Sequence, residues 1–409
     1  MACNDRVNLH MARHTLALRD QRGGVAMKIV TLLPHDERFS GWSIEEKLTR
    51  FHFSTQYLRF CKSLGWDPYL YCFHQAIKEK RTYRYKDFGM IKIFPVKFRF
   101  PPLLAFGNDH NPRAVQRELA HDQPGLVHFH HYYLFSFPYT VKLVKQKLKC
   151  PLTTQLHSYH HKWIRRTQFL PCLLSLKEVD RIFYSYKPEE SLYRKLGVLN
   201  KAVRIPVPSV DPSIFKPSKR RDSENLLYVG RIPLHMGTYA EKSPILLLFI
   251  LRKLLRYRNV KLTIIGDGPG LPYCQRLASK LKIEKHVSFQ GFTPRSRLPK
   301  HYQNAALTII PLELYDIDGW FDGSIQESLA CGTPVAAFKS SPKIPLKGSF
   351  GFLLPRDVEK APNEILTLLD KPEALEETAQ QGSQFVHAYC TEDKLIEKLR
   401  SEWEALMRK

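Results

Sequence analysis

The sequence predicts an α/β protein built from two doubly wound sheets, and two observations support this prediction. Short apolar runs alternate with longer segments of helical periodicity, and the pattern stops once at a proline-rich segment and then restarts. In the first half the strand-like runs are KIVTLLP, DPYLYCF, GLVHFHHYY, CPLTTQLHS and DRIFYSY. Such alternation is typical of parallel sheets with helices on both faces.

The segment between the two halves is RIPVPSVDPSIFKPSKRRDSEN, which holds four prolines and a cluster of charges. After it come the strand-like runs LLYVGRI, VKLTIIGDGP, HVSFQGF, ALTIIPLE and TPVAAF. We expect an N-terminal domain over residues 27–210, a linker over 211–224, a C-terminal domain over 225–384 and a closing helix over 385–409. A return of that helix to the first domain is one option. Ligands of such sheets bind beyond the carboxyl ends of the strands.

The chain is strongly basic. Its 409 residues include 63 Lys+Arg against 39 Asp+Glu, so the formal net charge is 63 − 39 = +24. A positive field of this size suits nucleic acid, an anionic membrane leaflet or phosphorylated substrates, and charge alone does not choose among them. No named nucleic-acid-binding motif is present.

Cysteine usage and the first residues indicate a cytoplasmic protein. The eight cysteines are scattered singly, without a C-x-x-C pair, which favours reduced thiols. No apolar run reaches the length of a membrane span. Residues 1–26 are polar and basic and lack the apolar centre of a secretory signal. We interpret them as a disordered leader, or Met27 as the natural start, with a targeting role as the alternative.

An ordered series of motifs runs from Met27 to about residue 390. It includes TTQLHSYH, YVGRI, KLTIIGDGP, QGFTPRSRLPKHYQNAALTIIPLE, QESLACGTPVAAF and GSFGFLLP. In this order the series resembles the GT-B glycosyltransferases, specifically the retaining enzymes of family 4, or group 1. The resemblance implies two Rossmann-like domains facing across a cleft, and transfer of a sugar from a nucleotide-diphosphate donor with retained configuration. It implies no metal and no other cofactor, and the acceptor stays undetermined.

Two cations are expected to bind the donor diphosphate and to act catalytically. Arg231 in YVGRI matches the family arginine, and Lys242 in EKSP matches the lysine that follows it. The usual short spacing would put Met236 at the lysine position, so an insertion is needed to bring Lys242 there. Fixed cations stabilise the charge that builds on a leaving phosphate. The alternative for Arg231 is a solvent-facing side chain at a strand end.

Backbone is expected to contribute at several points. The resemblance assigns Gly266 in IIGDGP and Phe292 in QGFTP to the donor, the latter through its backbone near the base. A simple strand-to-helix turn is the alternative for Gly266. Gly41 in FSGWSI corresponds to a glycine loop near the phosphates or the acceptor. The amides of Gly323 and Ser324 begin a helix and can meet phosphates, helped by the helix dipole.

The acidic residues depart from the family pattern. Two family glutamates lie eight positions apart, the first on the donor sugar and the second on the ribose. Glu327 matches the second, whereas the first position holds Gly319. Asp318 and Asp322 flank that glycine, and one of them is expected to take over the sugar contact. Otherwise the donor differs or activity is reduced.

Histidines mark the first domain. His157 in TTQLHSYH matches the family histidine that lines the sugar site, where it hydrogen bonds the sugar or the developing charge. His128, His130 and His131 form a second cluster on a strand-like run without acidic or thiol partners nearby. We interpret that cluster as packing and support, and expect no metal site.

Two stretches, residues 78–102 and 160–169, mix cations with aromatic rings. They suit a membrane interface, where rings lie at headgroup level and cations meet anionic lipid. They suit single-stranded nucleic acid as well, and a solvated basic face is the alternative to both. We expect peripheral contact with the inner membrane face and a lipid-linked or glycan acceptor, with nucleic acid the least favoured partner. A catalytically weak or inactive GT-B protein that binds sugar nucleotides remains the alternative function.

Overall fold

The computed structural model describes residues 26–33, 43–45, 52–99, 109–132, 136–156, 170–185, 189–206, 209–218, 222–233, 243–314, 322–339, 347–348 and 350–408. By its internal contacts the chain divides into two compact units. The first comprises Met1–Ile205 together with Ile396–Lys409, and the second comprises Pro206–Leu395.

Five of the ten strands in the described part of the first unit follow the apolar runs named from the sequence. The ten strands are β1 (Lys28–Leu33), β2 (Asp67–His74), β3 (Arg81–Tyr85), β4 (Gly89–Pro95), β5 (Phe98–Arg99), β6 (Asp109–His110), β7 (Leu126–His130), β8 (Leu152–Gln155), β9 (Arg181–Tyr184) and β10 (Ala202–Arg204). Eight of them form one sheet in the order β10-β9-β8-β7-β1-β2-β4-β3, and β5 and β6 form a separate antiparallel ribbon.

The first sheet is parallel except at one edge, where β3 pairs antiparallel with β4. Register is set by pairs such as Ile29 opposite Leu126 and Val127 opposite Leu152. Strands β1 and β7 are buried almost throughout, because helices cover both faces of a parallel sheet. The apolar runs therefore read as continuous, not alternating.

The helices of the first unit cover that sheet. They are α1 (His52–Ser63), α2 (Pro112–Asp122), α3 (Ser136–Leu143), α4 (Leu170–Ser175) and α5 (Glu189–Lys195), with a π turn over Val144–Leu148 and a 3-10 turn over Leu199–Lys201. Helix α2 shows why such elements begin where they do. Asn111 caps it by accepting the Ala114 amide at 3.2 Å, and Pro112 occupies the first turn, where its missing N–H costs nothing.

The second unit repeats the plan. Its described strands are β11 (Asp222–Val229), β12 (Lys261–Ile265), β13 (Val287–Gly291), β14 (Ala305–Leu314), β15 (Val335–Lys339), β16 (Lys347–Gly348) and β17 (Gly351–Leu354). They form a sheet in the order β13-β12-β11-β14-β15-β17-β16, parallel except for the β16–β17 hairpin.

Helices alternate with these strands. They are α6 (Ile245–Leu254), α7 (Leu271–Lys280), α8 (Leu298–Gln303), α9 (Gly323–Ala330), α10 (Ala361–Leu369), α11 (Pro372–Tyr389) and α12 (Glu392–Met407), with 3-10 turns over Glu284–His286 and Arg295–Arg297. The apolar run after Pro244 is α6, and it packs into the core of this unit through Leu247, Leu251 and Leu254. None of the helices in the described residues combines the length and apolar character that crossing a membrane requires.

The chain enters and leaves the second unit along paired backbone. Val210 and Thr391 form a parallel bridge. The Val210 amide donates to the Cys390 carbonyl, and the Glu392 amide donates to the Val210 carbonyl, each at 2.9 Å. Helix α12 starts at this bridge, and its residues from Ile396 onward belong to the first unit, where Trp403 is buried.

Candidate active site

The strand order of the second sheet reverses beside its central strand. The chain builds β12 and β13 on one side of β11 and then returns to place β14 and β15 on the other. In doubly wound sheets, ligands bind at the carboxyl ends of strands at such a reversal. Arg231 follows β11 directly, and α9, which carries Glu327, follows β14. Two predicted donor residues thus lie on the elements that flank the reversal.

The glycine loop after β12 packs against backbone. Gly266 has φ +133°, and a Cβ there would lie 1.8 Å from the Gly230 carbonyl oxygen. At Gly268 and Gly270 a Cβ would lie 2.4 Å and 2.0 Å from the carbonyl oxygens of Ile232 and Pro233. These glycines let the turn lie on the chain that follows β11. The close approach to the Gly230 carbonyl oxygen therefore explains why position 266 needs a glycine. The expected contact of Gly266 with the donor stays a prediction.

Tyr228 lies near the charges of Arg231 and Asp322 at this edge of the sheet. Its buried hydroxyl donates to the Arg231 carbonyl oxygen at 2.6 Å, while the Arg231 side chain is exposed. Burial raises the pKa of Tyr228 well above its usual range, the negative charge of Asp322 adds to the rise, and the positive charge of Arg231 opposes it. Arg231 and Asp322 therefore both lie near one phenol group, beside the start of α9.

The first turn of α9 is capped from within. The Asp322 Oδ1 atom accepts the Ser324 amide at 3.1 Å and the Ser324 hydroxyl at 2.6 Å. Asp322 is thus a helix N-cap. The Ser324 amide already donates to Asp322, so a phosphate bound there would have to share this amide with Asp322 or displace the carboxylate. Among the described residues, no side chain caps the Gly323 amide in this way.

Glu327 is buried at 7% exposure, and both of its carboxylate oxygens have partners. Arg295 donates through Nε to Oε1 at 2.7 Å, and the Tyr302 hydroxyl donates to Oε2 at 3.1 Å. Burial raises the pKa of Glu327, Arg295 and Tyr302 oppose the rise, and the charge of Asp322 adds to it. This acid is held in one orientation before any ligand arrives.

Sequence reasoning missed Arg295, which lies in the 3-10 turn before α8. Its pKa is raised despite burial, because the carboxylates of Glu327 and Glu392 favour the charged form. No motif spacing indicated this partner for Glu327, since the segment QGFTPRSRLPKHY was interpreted through its backbone. Gln326 was also missed: it is 1% exposed, and neither amide atom has a hydrogen-bond partner among the described residues.

Several predicted site residues lie outside the described residues. These are Gly41, His157, Lys242 and Asp318, together with Gly319 in the expected position of the first glutamate. Their roles stay predictions. Phe292 is described and is 49% exposed just beyond β13, consistent with a ring that is not needed for the core.

The histidine cluster of the first unit packs among aromatic rings. His128 stacks on Tyr57 with ring centroids 5.2 Å apart, and His130 meets the same ring edge-on at 4.9 Å. His128 Nδ1 lies 2.8 Å from the Thr153 hydroxyl. Burial lowers the pKa of His128 to about 3, and the pKa of His130 is lowered too. Both imidazoles are therefore neutral at physiological pH.

One segment expected at the surface is partly internal. Lys92, within the basic stretch 78–102, is buried and binds Glu118 and Asp122, so the prediction of a surface position is wrong for this lysine. Exposed cations of the stretch include Lys78, Arg81 and Arg84. Glu118, His121 and Asp122 are close enough together to ligate a cation, but the ammonium groups of Lys80 and Lys92 already occupy the carboxylates.

Comparison with known proteins supports this description. Residues 223–371 match the family described as glycosyl transferases group 1. A GDP-mannose-dependent alpha-(1-6)-phosphatidylinositol monomannoside mannosyltransferase of Mycolicibacterium smegmatis is 33% identical over 125 residues, covering 29% of this chain and 32% of the relative. A D-inositol 3-phosphate glycosyltransferase of Nocardiopsis dassonvillei is 28% identical over 185 residues, covering 40% of each. The chain thus matches less than half the length of these curated relatives.

Solved structures resemble most of the chain. Sucrose-phosphate synthase of Thermosynechococcus elongatus has a TM-score of 0.69 at 16% identity, covering 93% of this chain and 99% of that one. The HepE protein of Anabaena, in complex with UDP and glucose, has a TM-score of 0.66 at 14% identity, covering 93% and 100%. Likeness at such identities establishes the fold.

The two doubly wound sheets and these matches define the class of the protein as GT-B, which confirms the predicted fold class. Residues 223–371 of its second unit are similar to the glycosyl transferases group 1 family, the family that the motif series indicated.

Proposed function

We propose that the protein is a retaining glycosyltransferase that moves a sugar from a nucleoside-diphosphate donor to an acceptor hydroxyl. The observation that carries the proposal is the position of Arg231 and Glu327 beside the strand reversal of a sheet whose sequence matches the glycosyl transferases group 1 family. Two similar proteins support a nucleotide-sugar donor, since one relative depends on GDP-mannose and a structural neighbour binds UDP and glucose.

In the proposed reaction, the bond between the sugar C1 and the β-phosphate oxygen breaks, and the acceptor oxygen bonds C1 on the same face. The acceptor proton passes to the departing phosphate. Arg231 and Lys242 stabilise the charge on that phosphate, where a fixed cation contributes most at the transition state. Glu327 accepts hydrogen bonds from the ribose hydroxyls, and Asp318 or Asp322 contacts the sugar. His157 hydrogen bonds the sugar or the developing charge.

The acceptor we propose is lipid-linked or a glycan, reached at an anionic membrane surface. The names of both relatives include a phosphorylated inositol, which in the mannosyltransferase is part of a lipid. The net charge of +24 favours a phosphorylated acceptor or an anionic surface. Exposed Lys78, Arg81 and Arg84 supply part of that positive surface.

The test begins with a thermal-shift panel of UDP-, GDP- and ADP-sugars, because a ligand that binds the folded state raises stability by mass action. The donor that shifts the melting temperature is then incubated with acceptor extracts, and the anomeric configuration of the product is read by proton NMR. A retained anomer supports the proposal, and an inverted one contradicts the retaining assignment.

A catalytically weak protein that binds sugar nucleotides is the second candidate. Gly319 stands where the family has a glutamate, and that observation favours it. Donor binding without turnover in any acceptor extract would support this candidate. For the enzyme, donor hydrolysis should instead fall when Asp318 and Asp322 are changed to Ala.

A further inference from the structure

We propose that Arg295 is a positioning residue, which orients the Glu327 carboxylate for the ribose hydroxyls and connects it to the segments where the chain enters and leaves the second unit. The inference rests on the proposed nucleotide-sugar function. It assigns a side-chain role within the motif segment QGFTPRSRLPKHY, which was interpreted only through its backbone.

Arg295 uses its whole guanidinium group. Nε donates to Glu327 Oε1 at 2.7 Å, Nη2 donates to the Ser209 carbonyl oxygen at 3.0 Å, and Nη1 lies 3.6 Å from Glu392 Oε1. Its Cζ atom lies 5.1 Å from the centre of the Phe215 ring. A planar fork with five donors can serve three acceptors at once, which a lysine ammonium on a flexible stem does less well.

The partners of Arg295 come from two distant parts of the chain. Ser209 and Phe215 lie shortly after the unit boundary at residues 205 and 206, and Glu392 lies shortly before the boundary at 395 and 396. Backbone hydrogen bonds of 2.9 Å at Val210 join the two segments. Arg295 therefore connects Glu327 to both crossings of the chain at their bridge.

The ion pair leaves Glu327 able to bind ribose. A carboxylate offers about four lone-pair sites, and Arg295 and Tyr302 take one on each oxygen. The remaining lone pair on each oxygen has a fixed direction and can accept one of the two vicinal ribose hydroxyls. Without Arg295 a buried carboxylate has lost its counter-charge, so it takes up a proton more readily and no longer accepts on both oxygens.

The experiment compares ribose recognition in matched variants. The dissociation constants of UDP, GDP and ADP and of their 2′-deoxy analogues are measured by calorimetry for the wild type, Arg295→Met, Arg295→Lys, Glu327→Gln and Arg297→Met. Arg297 lies in the same 3-10 turn and is exposed, so it is the control.

We expect Arg295→Met to weaken binding of the ribonucleotide about ten-fold or more, the loss expected when a charge-assisted hydrogen bond is given up. Binding of the 2′-deoxy analogue should change little, so the ribo-to-deoxy preference collapses as it does in Glu327→Gln. Arg295→Lys should keep part of the preference, and Arg297→Met all of it. Arg295→Met can destabilise the fold, so Arg295→Lys provides an independent test of the inference. If Arg295→Lys keeps the full wild-type preference for the ribonucleotide over its 2′-deoxy analogue, the inference is overturned.

Hydrogen exchange tests whether Arg295 connects Glu327 to the segments around Ser209 and Glu392. Nucleotide binding should slow exchange of the Val210 and Glu392 amides in the wild type and in Arg297→Met, but not in Arg295→Lys. Equal protection in all three proteins overturns the connection. A wild type that binds none of the three nucleotides refutes the proposed function and the inference with it, whereas normal binding with unchanged preference refutes the inference alone.

Discussion

The ammonium group of Lys92 lies 2.6 Å from Asp122 Oδ2 in the interior of the first unit. Lys92 also donates to Glu118 at 2.7 Å, and its charge lies 4.9 Å from the centre of the Tyr69 ring. The Tyr71 hydroxyl donates to Asp122 as well. Strand β4 and helix α2 are thus joined by a buried network in which every charge has a partner of opposite sign.

Replacing Lys92 by Met should destabilise the protein by about 3–5 kcal/mol, because it leaves the buried Asp122 carboxylate without its lysine counter-charge. Urea unfolding followed by circular dichroism measures the change. Lys78→Met, at an exposed position of the same stretch, is the control and should stay within about 0.5 kcal/mol of the wild type. Equal stability of both variants would contradict a structural role for the network.

The same network sets the response to acid. Burial raises the pKa values of Glu118 and Asp122, but the hydrogen bonds and charges of the lysines outweigh it and lower them. For a carboxyl with a lowered pKa, the stabilisation is complete above the unfolded-state value and is lost as pH falls through the folded-state value. Unfolding free energies between about pH 5 and 2 should therefore fall less steeply in Lys92→Met than in the wild type.

Glu189 has the opposite effect on stability. Burial raises its pKa to about 8, and the Tyr193 hydroxyl opposes the rise by donating to Oε2 at 3.0 Å. The folded state then holds a proton that the unfolded state has lost, so stability falls as pH rises between the unfolded value of 4.5 and about 8. The slope for one such group is about 1.4 kcal/mol per pH unit.

Glu189→Gln should remove that slope and increase stability at pH 8, since the amide oxygen still accepts from Tyr193. Denaturant unfolding at several pH values from 5 to 8 measures how the free energy of unfolding changes with pH. Glu190→Gln is the matched control, because Glu190 hydrogen bonds Tyr184 at 2.8 Å on the neighbouring position. An identical slope in the wild type and Glu189→Gln would rule out a protonated Glu189.

Trp403 anchors the end of α12 in the first unit. Its ring centroid lies 5.4 Å from that of His128, 5.9 Å from Trp66 and 6.3 Å from Tyr57. Trp403→Ala removes a fully buried side chain and should cost about 3–5 kcal/mol. Ser401→Ala, at an exposed position of the same helix, should leave the melting temperature unchanged. A similar temperature for both would mean that the helix end is dispensable.

Two glycines at the carboxyl edge of the second sheet provide a matched pair. A Cβ at Gly266 would meet the Gly230 carbonyl at 1.8 Å, whereas nothing lies within 4 Å of a Cβ at Gly291, which has φ +65°. Gly291→Ala should cost only the left-handed conformation, about 1–2 kcal/mol. Gly266→Ala must move backbone and should cost more, with weaker nucleotide binding by calorimetry. Equal unfolding free energies for the two variants would contradict the packing role of Gly266.

The fold was predictable because local signals agreed with it. Many buried strands of the parallel sheets, such as β1 and β7, read as continuous apolar runs, and some of these runs end in turn residues such as those after β12. Lys92 shows where this reasoning stops. Its partners Glu118 and Asp122 are 26 and 30 residues away, and nothing in the sequence around MIKIFP marks the lysine as buried.

The candidate site was predictable only in part, for the same reason. Glu327 and Arg231 stand in motifs, so their types and positions indicated a donor site. Arg295 is 32 residues from Glu327 and stands in a motif that was interpreted only through its backbone, and the packing of α8 against α9 brings the two together. Lys242, His157 and Asp318 stay predictions.

Because Val210 and Thr391 form a bridge, the segments near the two ends of the second unit lie beside each other. Since these two segments already pair, a short Gly-Ser connector would be enough to join them in a circular permutant of this unit. Such a permutant would show whether this unit folds without the first.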